Sequence, residues 1–252
     1  MYLPVIMLHH VLDSPHPTLA EWALTRSKFT EMLDCIEEAG LTTTTFEQIV
    51  ENNLSLSELH NHIVITFDDC PVALFDFAIP ELIRRGMKAV FYMPTAHMGA
   101  YNIWDVENNG AERVDIMNGE QINQLVALGM EVGSHSHHHV ELGSLTEEDA
   151  YHEIYQSKKI LEETLNRSIY SIAYPYGDIP LGFKTSLKKA GYKFGLAIYS
   201  PRQHIFSLRR IGIYQSDDKK AIAFKISRSF HSLRNLASPI VALKKFYLNK
   251  KG

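Results

Sequence analysis

Strand-sized apolar runs alternating with helix-period stretches constrain this 252-residue chain more than any other feature. The runs are Val5 to Leu8, Leu41 to Thr45, Ile63 to Phe67, Ala89 to Met93, Met130 to Val132, Ile169 to Ala173, Phe194 to Ile198 and Leu208 to Ile213. Between them the apolar spacing predicts helices over about residues 27–39, 74–86, 119–128, 147–166 and 180–190. Gly40, Gly86, Gly129 and Gly191 stand where left-handed C-caps belong. Thr146, three residues before Asp149, opens the longest helix in the manner of a capping box. Repeated strand-helix alternation requires parallel strands joined by crossovers, as in a doubly wound sheet or a (β/α) barrel. The stretch from Gly99 to Asn118 has no period and carries Trp104, which reads as a substrate-facing excursion or an unstructured insert. No linker or repeat divides residues 1–214.

Where the reactive side chains fall is the second constraint. His9 and His10 follow the first run, Asp68 and Asp69 the third, His135 to His139 the fifth, and Tyr174 to Gly177 the sixth. All lie just past strand C-termini, where barrels of this kind build their sites. An Asp-Asp pair at a strand end cannot point both carboxylates along the pleat, so the two acids should do different work, although alone such a pair equally suits a helix cap or turn. Four imidazoles in the five residues from His135 to His139 suit a metal site. Two of them separated by three residues, with one Asp, give a two-His, one-carboxylate set that leaves positions open for water and substrate.

An ion so held lowers the pKa of its water from about 15.7 toward about 7, and the second carboxylate can take the proton as that water attacks a carbonyl. The developing oxyanion would meet the ion and a backbone N–H in the Pro175-Tyr176-Gly177 turn. His9 is the first candidate proton donor for a leaving amine, with His10 and His204 behind it. Tyr174, Pro175 and Trp104 are the candidate substrate contacts.

Ile6-Met7-Leu8-His9-His10-Val11, Thr66-Phe67-Asp68-Asp69, His135-Ser136-His137-His138-His139 with Leu142, Ala173-Tyr174-Pro175-Tyr176-Gly177 and Leu208-Arg209-Arg210-Ile211 resemble, in order and spacing, the polysaccharide deacetylase family with its NodB homology domain, of carbohydrate esterase type. The resemblance covers about residues 4–214. It implies a distorted (β/α) barrel and a metal-dependent hydrolase that removes N-acetyl or other N-acyl groups from amino-sugar residues of a polysaccharide or glycan precursor. By motif, Asp69, His135 and His139 would ligate the metal, Asp68 would be the base, and Tyr176 would offer its backbone N–H to the oxyanion. Zinc is the default ion, with other divalent ions tolerated.

Two positions depart from the family pattern. Cys70 replaces the usual Gly after the acidic pair, which puts a side chain in a tight turn and a thiol beside the site. Ala173 replaces an Arg that steadies the catalytic Asp, and Arg210 is expected to supply that charge instead. The Ala-Tyr-Pro-Tyr-Gly form looks like the subgroup acting on exopolysaccharide glucosamine chains. A carbohydrate-binding pseudoenzyme and an amidase or deformylase on a small non-polymeric amide are the competing readings.

The charge is divided. Residues 1–218 carry all 29 Asp and Glu with 16 Lys and Arg, whereas residues 219–252 carry nine Lys and Arg and no acid. Residues 1–214 therefore read as the catalytic domain and residues 215–252 as a basic, partly amphipathic helical tail. Ile222, Ile226, Phe230, Leu233 and Ala237 follow helical spacing until Pro239. That stripe suits either the surface of an anionic membrane or the side of the barrel. An acidic body argues against nucleic acid. The start Met1-Tyr2-Leu3-Pro4-Val5-Ile6 lacks a secretory pattern and no uncharged apolar run nears the ~18 residues of a span, so either the protein is cytoplasmic, with the inner membrane face as an option, or a signal has been trimmed. Only two Cys fit a reducing compartment.

Overall fold

A computed structural model describes residues 3–55, 58–200 and 203–234. Its frame is eight parallel strands: β1 (Val5–Leu8), β2 (His62–Phe67), β3 (Val90–Met93), β4 (Glu131–Ser134), β5 (Ser171–Ala173), β6 (Phe194–Ala197), β7 (Leu208–Arg209) and β8 (Ile211–Gly212). They run in the order β7-β6-β5-β4-β3-β2-β1-β8, with Thr42–Thr43 added beside the start of β2. β7 and β8 are separated by Arg210 alone. Leu208 pairs with Leu196 of β6 and Ile211 with Ile6 of β1, so one kinked stretch joins the two edges of the sheet. The architecture is the distorted (β/α) barrel that the sequence motifs imply.

Strand residues alternate between two apolar clusters, as a pleat buried on both sides requires. Val5, Val64, Val90, Tyr92, Ala173, Leu196 and Leu208 pack in one. Ile6, Ile63, Ile65, Phe67 and Phe91 pack in the other, with the helices. Helix α1 (Arg26–Glu38) is capped by Thr25, whose side chain accepts the Lys28 amide. Helix α2 (Phe46–Glu51) starts in a reciprocal Thr45–Gln48 box and joins Phe46 and Ile49 to the first cluster, beside the N-terminal ends of the strands. It escaped periodicity because six residues are less than two turns.

The expected helix over 74–86 is a 3₁₀ turn over Val72–Asp76 followed by α3 (Ala78–Arg84). Pro80 has no N–H to offer the Asp76 carbonyl, so a continuous ladder cannot run through it. The aperiodic stretch 99–118 is ordered around α4 (Ile103–Asn109), which corrects the alternative of an unstructured insert. Then come α5 (Gly119–Ala127), with an Asn118–Gln121 box, α6 (Glu147–Leu165), capped by Thr146, and α7 (Phe183–Ala190). Gly129 and Gly191 sit past α5 and α7 with φ of 78° and 84°, a conformation that costs a side chain strain.

Beyond residue 214, α8 (Lys219–Lys225) packs against α1 and buries Ile222 and Ile226 completely. Residues 228–234 are helical, with Phe230 partly buried and Leu233 exposed. As far as it is described, the apolar stripe begins on the barrel. Ala237 and Pro239 lie outside the described residues. No helix among the described residues is long and apolar enough to cross a membrane.

Candidate active site

The pleat separates the two aspartates. Val64 belongs to the cluster of inward strand residues, Thr66 donates its hydroxyl to the Ile6 carbonyl, and Asp68 continues the same face. Asp69 leaves the strand with φ of 66°, which swings its carboxylate elsewhere. Five of the seven non-glycine residues with positive φ among the described residues are Asp69, Cys70, Ser136, His139 and Tyr176. Backbone strain thus gathers at one place, as it does where function dictates geometry.

Asp68 is buried and its Oδ1 accepts a 2.5 Å hydrogen bond from an Arg210 terminal nitrogen. Its Oδ2 lies 3.8 Å from both His9 Nε2 and His135 Nε2. Burial alone would raise this carboxyl, but the Arg210 charge and the neighbouring imidazoles outweigh it and keep the group below its usual range. Arg210, the residue expected to supply the charge that Ala173 lacks, thus lies directly against Asp68. It sits at the junction of β7 and β8, which places its guanidinium inside the barrel mouth.

Asp69 Oδ1 lies 3.2 Å from His139 Nε2 and 3.5 Å from His135 Nε2. The His135 Nδ1 is 2.8 Å from the Ala173 carbonyl, which can only accept, so Nδ1 holds the hydrogen and Nε2 turns its lone pair toward Asp69. Burial is the main cause that pushes His135 down to about 4, so the ring is neutral and free to ligate. Against burial, His139 and His135 hold the Asp69 carboxyl well below its normal value.

The other imidazoles of the cluster brace the loop. Glu153 of α6 accepts the amides of His137 and His138 and pairs with His138 Nδ1 at 2.6 Å, Thr95 meets His137 Nδ1 at 2.8 Å, and the Ser136 hydroxyl accepts the His139 amide.

The residues fit a divalent ion. One donor atom each from Asp69, His135 and His139 lies within 4.8 Å of the others. Asp69 Oδ1 is buried and accepts no hydrogen bond. The 3.2 and 3.5 Å separations match the ~3.3 Å edge of a tetrahedron with bonds of about 2.0 Å. Neutral imidazole and carboxylate are the donors zinc accepts.

These groups form the floor of a cavity of about 400 Å³ lined also by His9, His10, Trp22, Trp104, Asp105, Tyr176 and Ile198. The Trp104 ring stacks on His139 with centroids 4.2 Å apart, and Tyr176 meets the same imidazole edge-on at 5.0 Å. His9 packs against Trp22 at 4.9 Å. Burial pushes His10 down to about 4 and the Tyr176 hydroxyl up to about 12. Tyr176 itself has φ 57° and ψ 5°, and the Gly177 and Asp178 amides that follow are committed to the Tyr174 and Pro175 carbonyls.

Several expected positions stand elsewhere. Tyr174 is fully buried and its hydroxyl donates to the Phe206 carbonyl, so its side chain belongs to the core and does not line the cavity. Pro175 is likewise buried and absent from the cavity wall; it opens the turn that presents Tyr176. His204 faces Phe206 and Ser207 away from the cavity. Cys70 adopts φ 52° where glycine would be at ease, and its side chain is buried among apolar neighbours and is not one of the clustered donors. Trp22, Asp105 and Ile198 were not singled out by spacing. One signal was available: the chain has two Trp, and both line this cavity.

A family model described as polysaccharide deacetylase matches residues 57–195, more than half of the chain. The chain belongs to the polysaccharide deacetylase family. YxkH of Bacillus subtilis, a protein named as a polysaccharide deacetylase, is 26% identical over 155 residues, which cover 60% of this chain and 51% of its own length. A poly-beta-1,6-N-acetyl-D-glucosamine N-deacetylase of Staphylococcus aureus strain N315 is 26% identical over 180 residues, 66% of this chain and 59% of the relative. The chain thus spans about half to three-fifths of the length of these curated relatives. Among solved structures, the deacetylase PplD of Streptococcus pyogenes, in complex with acetate, superposes with a TM-score of 0.74 at 22% identity, covering 89% of this chain and 98% of PplD. IcaB of Ammonifex degensii gives 0.69 at 19% identity, covering 89% and 96%. Both share the fold.

Proposed function

We propose that this chain is a metal-dependent N-deacetylase that hydrolyses the N-acetyl group of amino-sugar residues in a glycan, with poly-N-acetylglucosamine as the first substrate class to test. The observation that carries the reading is the pairing of two devices in one cavity: the Asp69, His135 and His139 group, and beside it a buried aspartate held ionised by Arg210. A binding protein has no need of the second device. The Staphylococcus aureus relatives, named for acting on poly-beta-1,6-N-acetyl-D-glucosamine, supply the substrate class.

A divalent ion, zinc by default, would be held by Asp69, His135 and His139 and would supply Lewis acidity toward water and the acyl oxygen. The chain's residues do the rest. Asp68, kept ionised by Arg210, takes the proton of the attacking water as its oxygen bonds to the acyl carbon. The Tyr176 amide faces the oxygen on which negative charge grows. His9, whose Nε2 lies 3.8 Å from Asp68 Oδ2, gives a proton to the amine as the carbon–nitrogen bond breaks and recovers one from Asp68, leaving acetate and a free amino sugar. Trp22 and Tyr176, both exposed, offer apolar faces for sugar rings, while the buried Trp104 ring backs His139 in the cavity wall. Where the protein acts is a separate proposal: the basic charge after residue 219 suits the inner face of an anionic membrane.

Acetate and free amine released from β-1,6- and β-1,4-linked N-acetylglucosamine oligomers should be abolished by chelator, restored by a divalent ion, and lost in Asp68→Asn. Turnover of a small formyl amide or cyclic imide with none on the glycans would replace this reading with the small-amide one. Glycan binding without any hydrolysis would leave a pseudoenzyme.

A further inference from the structure

The helix that begins at residue 228 ends its described part on Arg234, and the guanidinium there is a fork. One terminal nitrogen donates to the Arg210 carbonyl at 2.7 Å and the other to the Ile198 carbonyl at 2.7 Å. The tie is reciprocal, because Arg209 donates from Nη1 to the Arg234 carbonyl at 3.4 Å and from Nε to the Ser200 carbonyl at 2.6 Å. Both carbonyls that Arg234 holds belong to residues of the catalytic cavity. Arg210 is the partner of Asp68 and the point where the closing stretch changes from β6 to β1. Ile198 follows β6 and braces the other device: a Cβ placed on Gly177, which has φ of 70°, would stand 2.8 Å from Ile198 Cβ and 2.9 Å from its amide nitrogen. The Tyr176 turn therefore rests directly on the Ile198 backbone.

We infer that Arg234 is a positioning residue which, by bridging the Arg210 and Ile198 carbonyls, fixes the Asp68–Arg210 pair relative to the Tyr176 turn, so that the helix after residue 228 completes the catalytic unit. A planar fork with two parallel donors is what spanning two carbonyls requires, and lysine cannot reproduce it. Base and oxyanion donor act on opposite ends of one reacting water–carbonyl unit, so an error in their separation weakens turnover more than binding. The inference rests on the deacetylase reading above.

The test compares wild type, Arg234→Met, Arg234→Lys, Arg210→Met and the Arg210→Met/Arg234→Met double variant, all full-length and metal-replete, with Arg228→Ala as control. Arg228 anchors the same helix to the His60 carbonyl, near the opposite ends of the strands. Arg234→Met should lower kcat on N-acetylglucosamine oligomers about tenfold or more, the size of losing charged hydrogen bonds, with KM within about twofold. Arg234→Lys should fall between, Arg228→Ala should keep wild-type kcat, and the double variant should be no slower than Arg210→Met. Hydrogen exchange should rise at the Arg210 amide, which bonds the Ala197 carbonyl. Wild-type kcat in Arg234→Met, additive effects in the double variant, or unchanged exchange at Arg210 would overturn the inference. If wild type releases no acetate, the deacetylase reading fails and the exchange measurement still decides whether Arg234 fixes the Arg210 backbone. If Arg234→Met does not fold, Arg234→Lys and its exchange decide in its place.

Discussion

Asp68 and Asp69 are adjacent in the chain and serve different chemistry because one continues the pleat and the other breaks it at φ 66°. That division was legible in the sequence, since no strand can turn two neighbouring side chains the same way. So was Arg210, since Ala173 left a charge unfilled. The side-chain fates of Tyr174 and Pro175 were not, because a motif fixes the turn and says nothing of which face it shows the cavity. Arg210→Met should lower kcat on the order of 10²-fold and cost about 3 kcal/mol of stability, since it strands a buried carboxylate; acetate release and urea unfolding measure the two, and unchanged turnover would contradict the pairing. Cys70 is buried and its thiol is raised well above the usual range, by burial first and then by Asp69 and Asp68. A disulfide-exchange reagent at pH 7.5 should therefore leave Cys70 unlabelled in the native protein and label it after unfolding. Rapid native labelling at Cys70 would place the thiol in the cavity after all.

Among the elements, the apolar strand runs and the glycine-ended helices carried their own signals, and the structure has strands or helices at each of those places. The short pieces did not. Helix α2 announced itself only through Thr45 and Gln48 at capping-box spacing, and α4 through Trp104, a residue type that rarely sits in an idle loop. Glu131 at the start of β4 is a buried cost of the same architecture: it accepts the Glu47 amide of α2 and the Ser171 hydroxyl, which is itself bonded by Tyr92. Burial is the main cause that pushes its carboxyl from the usual 4.5 up to about 7. The folded protein then holds this proton more tightly than the unfolded chain, so the contribution of Glu131 to stability is full below about 4.5 and is lost as pH rises through about 7. Glu131→Gln should remove that decline, making the variant more stable than wild type at pH 8 by up to about 3 kcal/mol and similar at pH 4. Urea unfolding at the two pH values measures it; a pH profile parallel to wild type would refute the assignment.

For the whole molecule, alternation specified parallel strands and crossovers but not how the ring closes. Closure depends on Arg210 dividing a single apolar run between β6 and β1, a long-range pairing that leaves no trace in local period. The convergence of residues 69, 135 and 139 is a product of that ring, and the ion it gathers should stabilise the native state alone. At a free zinc concentration 100 times the dissociation constant the gain is about 2.7 kcal/mol, so the melting temperature should rise with zinc and fall back with chelator. The most direct measurement of the central claim is the number of divalent ions bound per chain at equilibrium in wild type and in His139→Ala, both shown to be folded. The geometry predicts one ion per wild-type chain and loss of that tight site in the variant; an ion held by both with equal affinity, or by neither, would contradict it.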